Sequence, residues 1–274
     1  VAPTRYFTGE IDGSLGAMVA LSFENDYQSV AVGADGTLNL GNDHTTLLGS
    51  VSLSRDTLSP TDAFLSADRQ AADGRMKRSF SIYEAVSQVI DKNNVIQIGA
   101  GFTRLSGYLS DPYKFEDNRP GERSQYTITA QYRRYMSVLS GAALHADYRF
   151  YSDSWGMYSN TFTARWAQKL ESGAVDFHLT PMLRYYRQTE AEFYTLNIAP
   201  PEGEFSSSDY RLSSYASMNV GLEARAAYRR WELSLDFQQY IASEDMMILQ
   251  VPESETPALV DYSVVSIGLE YKTL

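Results

Sequence analysis

The sequence predicts an all-β chain, a closed up-and-down antiparallel transmembrane β-barrel of about twelve strands. Three observations predict it. Long runs alternate apolar and polar residues with period two, which gives a strand two unlike faces. The connections between runs are mostly short at one end and long at the other, the asymmetry of bacterial outer-membrane barrels. The runs extend about 10 to 14 residues, enough to cross a bilayer at a tilt of about 45°, whereas strands of soluble sandwiches average about five or six.

The alternation is clearest from Gln125 to Gln188. Tyr126, Ile128, Ala130 and Tyr132 interleave with Gln125, Thr127, Thr129, Gln131 and Arg133. Ala142, Leu144, Ala146, Tyr148 and Phe150 interleave with His145, Asp147, Arg149 and Tyr151. Phe162, Ala164 and Trp166 interleave with Thr161, Thr163 and Arg165. Val175, Phe177, Leu179, Leu183 and Tyr185 interleave with Asp176, His178, Thr180, Arg184 and Tyr186.

In chain order, residues 1–13 read as an N-terminal arm or partial strand, and residues 14–274 as the barrel. Ser14 to Glu24 is apolar enough for a strand, and Asn25-Asp26 is turn chemistry. Tyr27 to Leu40 and Thr45 to Asp56 flank a tight turn, Gly41 to His44. Leu58 to Met76 is polar, holds Pro60 and Gly74, and reads as a loop. Lys77 to Ile90 and Val95 to Leu109 form a hairpin, and Ser110 to Ser124 is a second long loop. The four strands from Gln125 to Gln188 follow. Thr189 to Leu212, with Pro200-Pro201, is the longest loop. Ser213 to Tyr228 and Trp231 to Ile241 pair across Arg229-Arg230, a loop carries Pro252 and Pro257, and Asp261 to Tyr271 closes the chain. The long loops fall on one side, so both termini are expected on the short-turn side, the periplasm.

Composition agrees. The 274 residues include 20 Tyr and no Cys, so neither a disulfide frame nor a thiolate metal site is available. Mean hydropathy is −0.32, a value that polar lumen residues depress in any membrane barrel. A net charge of −11 argues against a nucleic-acid surface. No apolar run approaches about 18 residues, so no transmembrane helix is expected. No signal peptide opens the chain at Val1, so an exported protein is met here in processed or trimmed form.

Alternation alone does not say which face meets lipid. The apolar face mixes Ala and Gly with aromatics, and Tyr126, Tyr148, Phe150, Trp166, Tyr185, Trp231 and Phe237 read as belts near strand ends. The polar face carries opposite charges at strand centres. Both features favour apolar residues outside and charges inside.

Three segments in order, GYLSDPYK (Gly107 to Lys114), YRFYSDSWG (Tyr148 to Gly156) and RYYRQTEAEFY (Arg184 to Tyr194), resemble a family of poorly characterised Gram-negative outer-membrane β-barrel proteins. That family shows LxDPY and YRxFxDxWG motifs. The resemblance runs from about Ser14 to the C-terminus. It implies a barrel in the bacterial outer membrane, and no particular activity. Its implied partners are a small lipoprotein or a periplasmic redox protein. The family carries more sequence before the position matching Thr4, which leaves room for more than twelve strands. Ser266 to Tyr271 also resembles the signal read by the outer-membrane assembly machinery, although Leu274 stands where an aromatic is usual. Outer-membrane lipid and lipopolysaccharide are the remaining expected partners.

The candidate site is a lumen charge network of Arg133, His145, Asp147, Arg149, Arg165, Asp176, His178, Arg184, Glu223, Arg225, Glu232 and Asp236. It reads either as a solute-selecting lumen or as a salt-bridged filling of a narrow barrel, where buried charges must pair; the balanced signs favour the filling. No catalytic residue, metal or cofactor is expected. His145 and His178 would sit about 10 Å apart across an intervening strand, and no nucleophile signature accompanies them or His44. The oxygen-bearing loop residues Asp111, Glu116, Asp117, Asn118, Glu122, Glu190, Glu192, Glu202, Glu204 and Asp209 match no fixed calcium loop and read as a solvated acidic surface. Asp153 to Gly156 reads as a structural turn with Trp155 packed at the rim. The expected role is a non-enzymatic channel or a scaffold for a periplasmic or surface partner. The alternatives are a barrel enzyme acting on lipid and a soluble secreted β-sandwich.

Overall fold

The computed structural model describes residues 3–9, 12–41, 44–196, 204–243, 246 and 259–272. Its strands are β1 (Thr4–Phe7), β2 (Asp12–Phe23), β3 (Tyr27–Leu40), β4 (Thr45–Leu58), β5 (Met76–Asp91), β6 (Asn94–Gly107), β7 (Glu122–Met136), β8 (Ala142–Asp153), β9 (Tyr158–Ser172), β10 (Val175–Gln188), β11 (Tyr215–Tyr228), β12 (Trp231–Ser243) and β13 (Tyr262–Tyr271). They hydrogen-bond in sequence order as one up-and-down antiparallel sheet of 13 strands. β2 to β13 coincide with the twelve expected strands. β1 is a short addition. It runs toward the short-turn side, so Thr4 stands higher on the wall, opposite Gly16. β1 and β13 end the sheet, and no ladder joins them among the described residues. Asn42, Asp43, Pro200, Pro201, Glu202, Pro252, Pro257 and Leu274 lie outside the described residues.

The register fixes the faces. Tyr126, Ile128 and Ala130 of β7 lie beside Phe102, Ala100 and Ile98 of β6, and beside Ser152, Phe150 and Tyr148 of β8. Tyr126 and Ile128 are each 52% exposed, while Gln125, Thr127, Thr129 and Gln131 on the opposite face are half-buried. The same inversion recurs around the sheet, with Leu21 at 60% and Leu235 at 41%. Large apolar side chains lie on the more exposed face of the sheet and polar ones on the other. A sheet surrounded by water would do the reverse, because contiguous exposed apolar surface is disfavoured there.

Two expectations are corrected. The segment after β4 is not a plain loop. It holds a 3-10 turn, Ala63–Leu65, and helix α1 (Ala67–Ala72). Ser66 caps α1 by accepting from the Asp68 N–H at 3.2 Å, satisfying a donor the helix start leaves open. The aromatic belts are only partial. Trp231 and Tyr271 do meet at a strand end, 4.8 Å between rings, but Tyr148, Trp166 and Phe237 fall at mid-strand, where they pack on the sheet rather than mark an interface. Pro181 also interrupts β10 without ending it. The β9 ladder skips Thr180 and Pro181, while the β11 ladder pairs both. Pro has no N–H to give to one of its two neighbours.

Tyr83 on β5 lies across two glycines of β6. A Cβ at Gly99 would stand 2.2 Å from the Tyr83 hydroxyl, which also meets Thr129 Oγ1 at 3.0 Å. Glycine is required here by close approach, and the ring covers backbone that would otherwise lie bare. Gly99→Val should therefore destabilise the fold by about 1–3 kcal/mol through overpacking. The urea midpoint in detergent measures it, with Tyr83→Phe expected to cost much less.

Candidate functional site

The twelve charged or imidazole residues singled out above all project from one face of the sheet. Arg133, His145 and Arg165 form one transverse row. Asp147 sits in the next, beside Thr163 and Arg184. His178 is opposite Arg225, and Glu223 is opposite Asp236. Hairpin register sets Asp147 near Arg165 on the next strand. It is diagonal, and its ion pair goes the other way, to Arg133 at 2.6 Å. Arg225 pairs with Glu223 at 2.5 Å and reaches Glu232 at 3.9 Å. Glu232 also pairs with Lys272 at 2.8 Å, a residue sequence reasoning missed because it lies past the last alternating run. Asp236 accepts from Gln238 at 3.1 Å.

The pairing is incomplete. Arg165, Arg184 and Asp176 form no ion pair among the described residues, and Arg149 lies over the Tyr151 ring at 5.4 Å. Space remains between the groups. Three polar cavities follow one another along β10 to β12. The first, near the short turns, is about 410 Å³ and is lined by Asp176, His178, Glu223, Arg225, Glu232 and Lys272. The second, about 300 Å³, lies among Arg165, Met182, Asp236 and Gln238. The third, about 370 Å³, lies among Arg184, Tyr186, Tyr215, Asn219, Tyr240 and Tyr262. This face is charged and unfilled.

The main apolar core is elsewhere, among the connections at the long-loop end. Trp155 (3% exposed), Met157, Ala191 and Leu212 pack together, with Leu109, Tyr151, Phe193 and Tyr194 against them. Trp155 meets Phe193 edge-on at 5.1 Å. Its Nε1 donates to the Glu122 carbonyl at 3.0 Å, and Arg123 stacks on its other side at 4.1 Å. Asp153 at the end of β8 holds this corner. It pairs with Arg123 at 2.5 Å, accepts from the Tyr151 hydroxyl at 2.6 Å, and accepts from the Trp155 and Met157 amides. The turn has Gly156 at φ +81, where a Cβ would strike the Glu192 side chain at 2.6 Å. The three segments quoted for the family resemblance thus meet in one cap.

A second knot ties the loop before β7 to the loop before β11. Asp209 is fully buried. It pairs with Arg211 at 2.5 Å and Arg119 at 2.9 Å, with Lys114 at 4.0 Å. Arg119 also meets Asp117 at 2.8 Å, and Arg211 meets Asp111 at 2.9 Å. Ser207 donates to Asp117, and the Asn118 and Ser206 backbones exchange hydrogen bonds at 2.9 and 2.8 Å. This corrects the solvated reading of Asp117 and Asp209. Arginines in the same loops neutralise and bury them. Burial opposes the ionised Asp209 carboxylate, but hydrogen bonds from Arg211 and the charges of Arg211 and Arg119 outweigh it and hold its carboxyl below the usual range.

The family described as "Protein of unknown function (DUF3570)" matches residues 4–251. The chain belongs to this family. Among solved structures, the DUF3570 chain resembles the ferric-catecholate import receptor Fiu from E. coli, at a TM-score of 0.54 and 10% identity, over 100% of this chain and 53% of the receptor. It also resembles a mutant of the ferric enterobactin receptor PfeA from Pseudomonas aeruginosa, at 0.52 and 12%, over 97% of this chain and 42% of that one. The chain thus spans about half the length of these receptors, and the likeness shows the fold alone. A comparison with curated proteins finds no sequence match.

Removing one partner of a buried ion pair costs about 3–5 kcal/mol, so Asp209→Asn should open the cap while leaving the sheet intact. Protease sensitivity of the loops should rise and Trp155 fluorescence should shift, with the β circular-dichroism signal unchanged. The pH effect has a fixed sign. A carboxyl held low in the folded state contributes its full stability above the ordinary Asp value and loses it as pH falls through the lower folded value. The wild-type cap should loosen only below pH of about 4, and Asp209→Asn should remove that part of the acid response.

Proposed function

We propose that the sheet closes into a barrel in the bacterial outer membrane, its charged face lining a lumen, and that it works as a non-enzymatic channel for small polar solutes with the loop cap gating the outer mouth. The observation that carries this reading is the line of three polar cavities along β10 to β12. A salt-bridged filling would close that space. The outward apolar face supports membrane insertion, and the barrel relatives support closure. On this reading β13 ends on the periplasmic side, at the short turns.

Conductance across a planar bilayer tests the channel. Wild-type protein should pass small, infrequent currents, and Asp209→Asn should open larger ones. A folded protein that conducts in neither form would leave the scaffold reading, in which the cap presents a surface to a lipoprotein or other partner. Hydrolysis of lipid that is lost in both His145→Ala and His178→Ala would favour the enzyme instead.

Orientation has its own test. Glu84 stands on the apolar face between Gly49 and Ala100, exposed, with no ion pair among the described residues. An acidic group facing hydrocarbon at mid-strand is unfavourable, by less than the roughly 2–4 kcal/mol of a basic one. Glu84→Leu should raise the unfolding midpoint in lipid vesicles. A lowered midpoint would place this face in water.

A further inference from the structure

Above the apolar belt, on the outward face at the long-loop end, four arginines gather on three adjacent strands and the turn before them. Arg55 of β4 is directly opposite Arg78 of β5. Arg104 of β6 is diagonal to Arg78, opposite Phe80 and two residues along the ladder. Arg75 lies in the turn that enters β5. All four are exposed. Like charges directly opposite each other in a sheet are destabilising, and this chain carries −11 overall, so the cluster is not a by-product of a basic surface.

Little within the protein neutralises the cluster. Arg104 pairs with Glu122 at 3.0 Å. Arg55 points its Nη2 at the Met76 sulfur, and Arg75 gives one hydrogen bond to the Ala71 carbonyl. Arg78 has no hydrogen bond or ion pair among the described residues. Arg75 and Arg78 also line a cavity of about 540 Å³ with Gly74, Met76, Ser106, Gly107 and Tyr108. Gly107 leaves that cavity open. Its φ is +112 and a Cβ there would stand 2.1 Å from the Met76 carbonyl, so no side chain is allowed.

The wall beneath is apolar. Leu53 and Phe80 follow Arg55 and Arg78 along their strands, and Tyr126 follows on β7, all exposed. An amphiphile fits this arrangement, with its anionic head among the guanidinium groups and its chains along the wall. Arginine presents a planar fork of donors matched to phosphate oxygens. We propose that Arg55, Arg75, Arg78 and Arg104 form a binding site for the phosphate of a phosphorylated lipid headgroup in the outer leaflet. The proposal rests on the membrane-barrel reading above, though not on the channel.

The test uses the full chain folded in detergent, after vesicle insertion and heat-modifiable migration have been checked for each variant. The probes are diphosphoryl lipid A, the same lipid with its phosphates removed, and inorganic phosphate. Diphosphoryl lipid should bind at least tenfold more tightly than the dephosphorylated form. The double variant Arg75→Gln with Arg78→Gln should lose at least tenfold of that affinity, while Lys92→Gln, at the other end of β5, should keep it. Equal binding of both lipids, or an unchanged double variant, would overturn the site. Inorganic phosphate binding as tightly as the lipid would overturn the lipid assignment. Failure of the wild-type chain to insert into vesicles overturns the barrel reading and this site together, whereas insertion without phosphate selectivity overturns this site alone.

Discussion

The antiparallel ladder from β1 to β13 assigns every strand residue to one of two faces, because successive side chains in a strand point to opposite sides. A slip of one residue anywhere would carry a whole strand's apolar set across the sheet. The ladder tolerates little of this. It shows one register shift, between Val89 and Asp91 at the end of β5, and at Pro181 it loses pairs without losing phase. Consistent phase is what gathers residues far apart in sequence, such as Arg133 and Arg225, onto one surface. It also leaves the other surface apolar enough to need a non-aqueous surrounding.

The cap obeys a different constraint. Loops carry backbone donors and acceptors that no ladder satisfies, and burying such a segment requires partners for each. The chain supplies them with charge. Asp153 gathers an arginine, a tyrosine hydroxyl and two amides, and Asp209 gathers two arginines. Around these knots the Trp155 cluster excludes water, which strengthens the pairs inside it. Apolar packing and ion pairing support each other here, whereas on the charged sheet face the ion pairs stand beside open space.

The strands and their two faces were legible in the sequence because alternation is local and repeats in almost every run. The choice of outward face was legible too, from Ala, Gly and aromatic residues sharing one side. The cap was not. Asp111 meets Arg211 across 100 positions and Asp117 meets Ser207 across 90, and no local pattern encodes such contacts. Counting acids in those loops gave a solvated surface. Noticing Arg119, Arg123 and Arg211 among them, beside Trp155 and Phe193, would have pointed to burial. The SDSWG and TEAEFY segments, on which the family resemblance was read, pack against each other in the cap.

The cap can work as a gate only if it moves without taking the sheet with it, and the distribution of contacts allows that. Strands β2 to β12 are held by ladders on both sides, while the cap is tied by side-chain knots and short backbone links such as Glu192 to Trp155 and Asn118 to Ser206. Local opening free energy follows such differences in contact. Asp209 belongs to no strand and hydrogen-bonds across two loops, so releasing it loosens the loop before β11 against the loop before β7, leaving the Asn118–Ser206 backbone bonds and the Arg211–Asp111 pair between them, and breaks no bond of the sheet ladders. Asp153 differs. It is the last residue of β8 and pairs with Arg123 of β7, so it anchors the hinge to the wall. On the gate reading proposed above, Asp153 is the knot that stays and Asp209 the knot whose release would open the outer mouth.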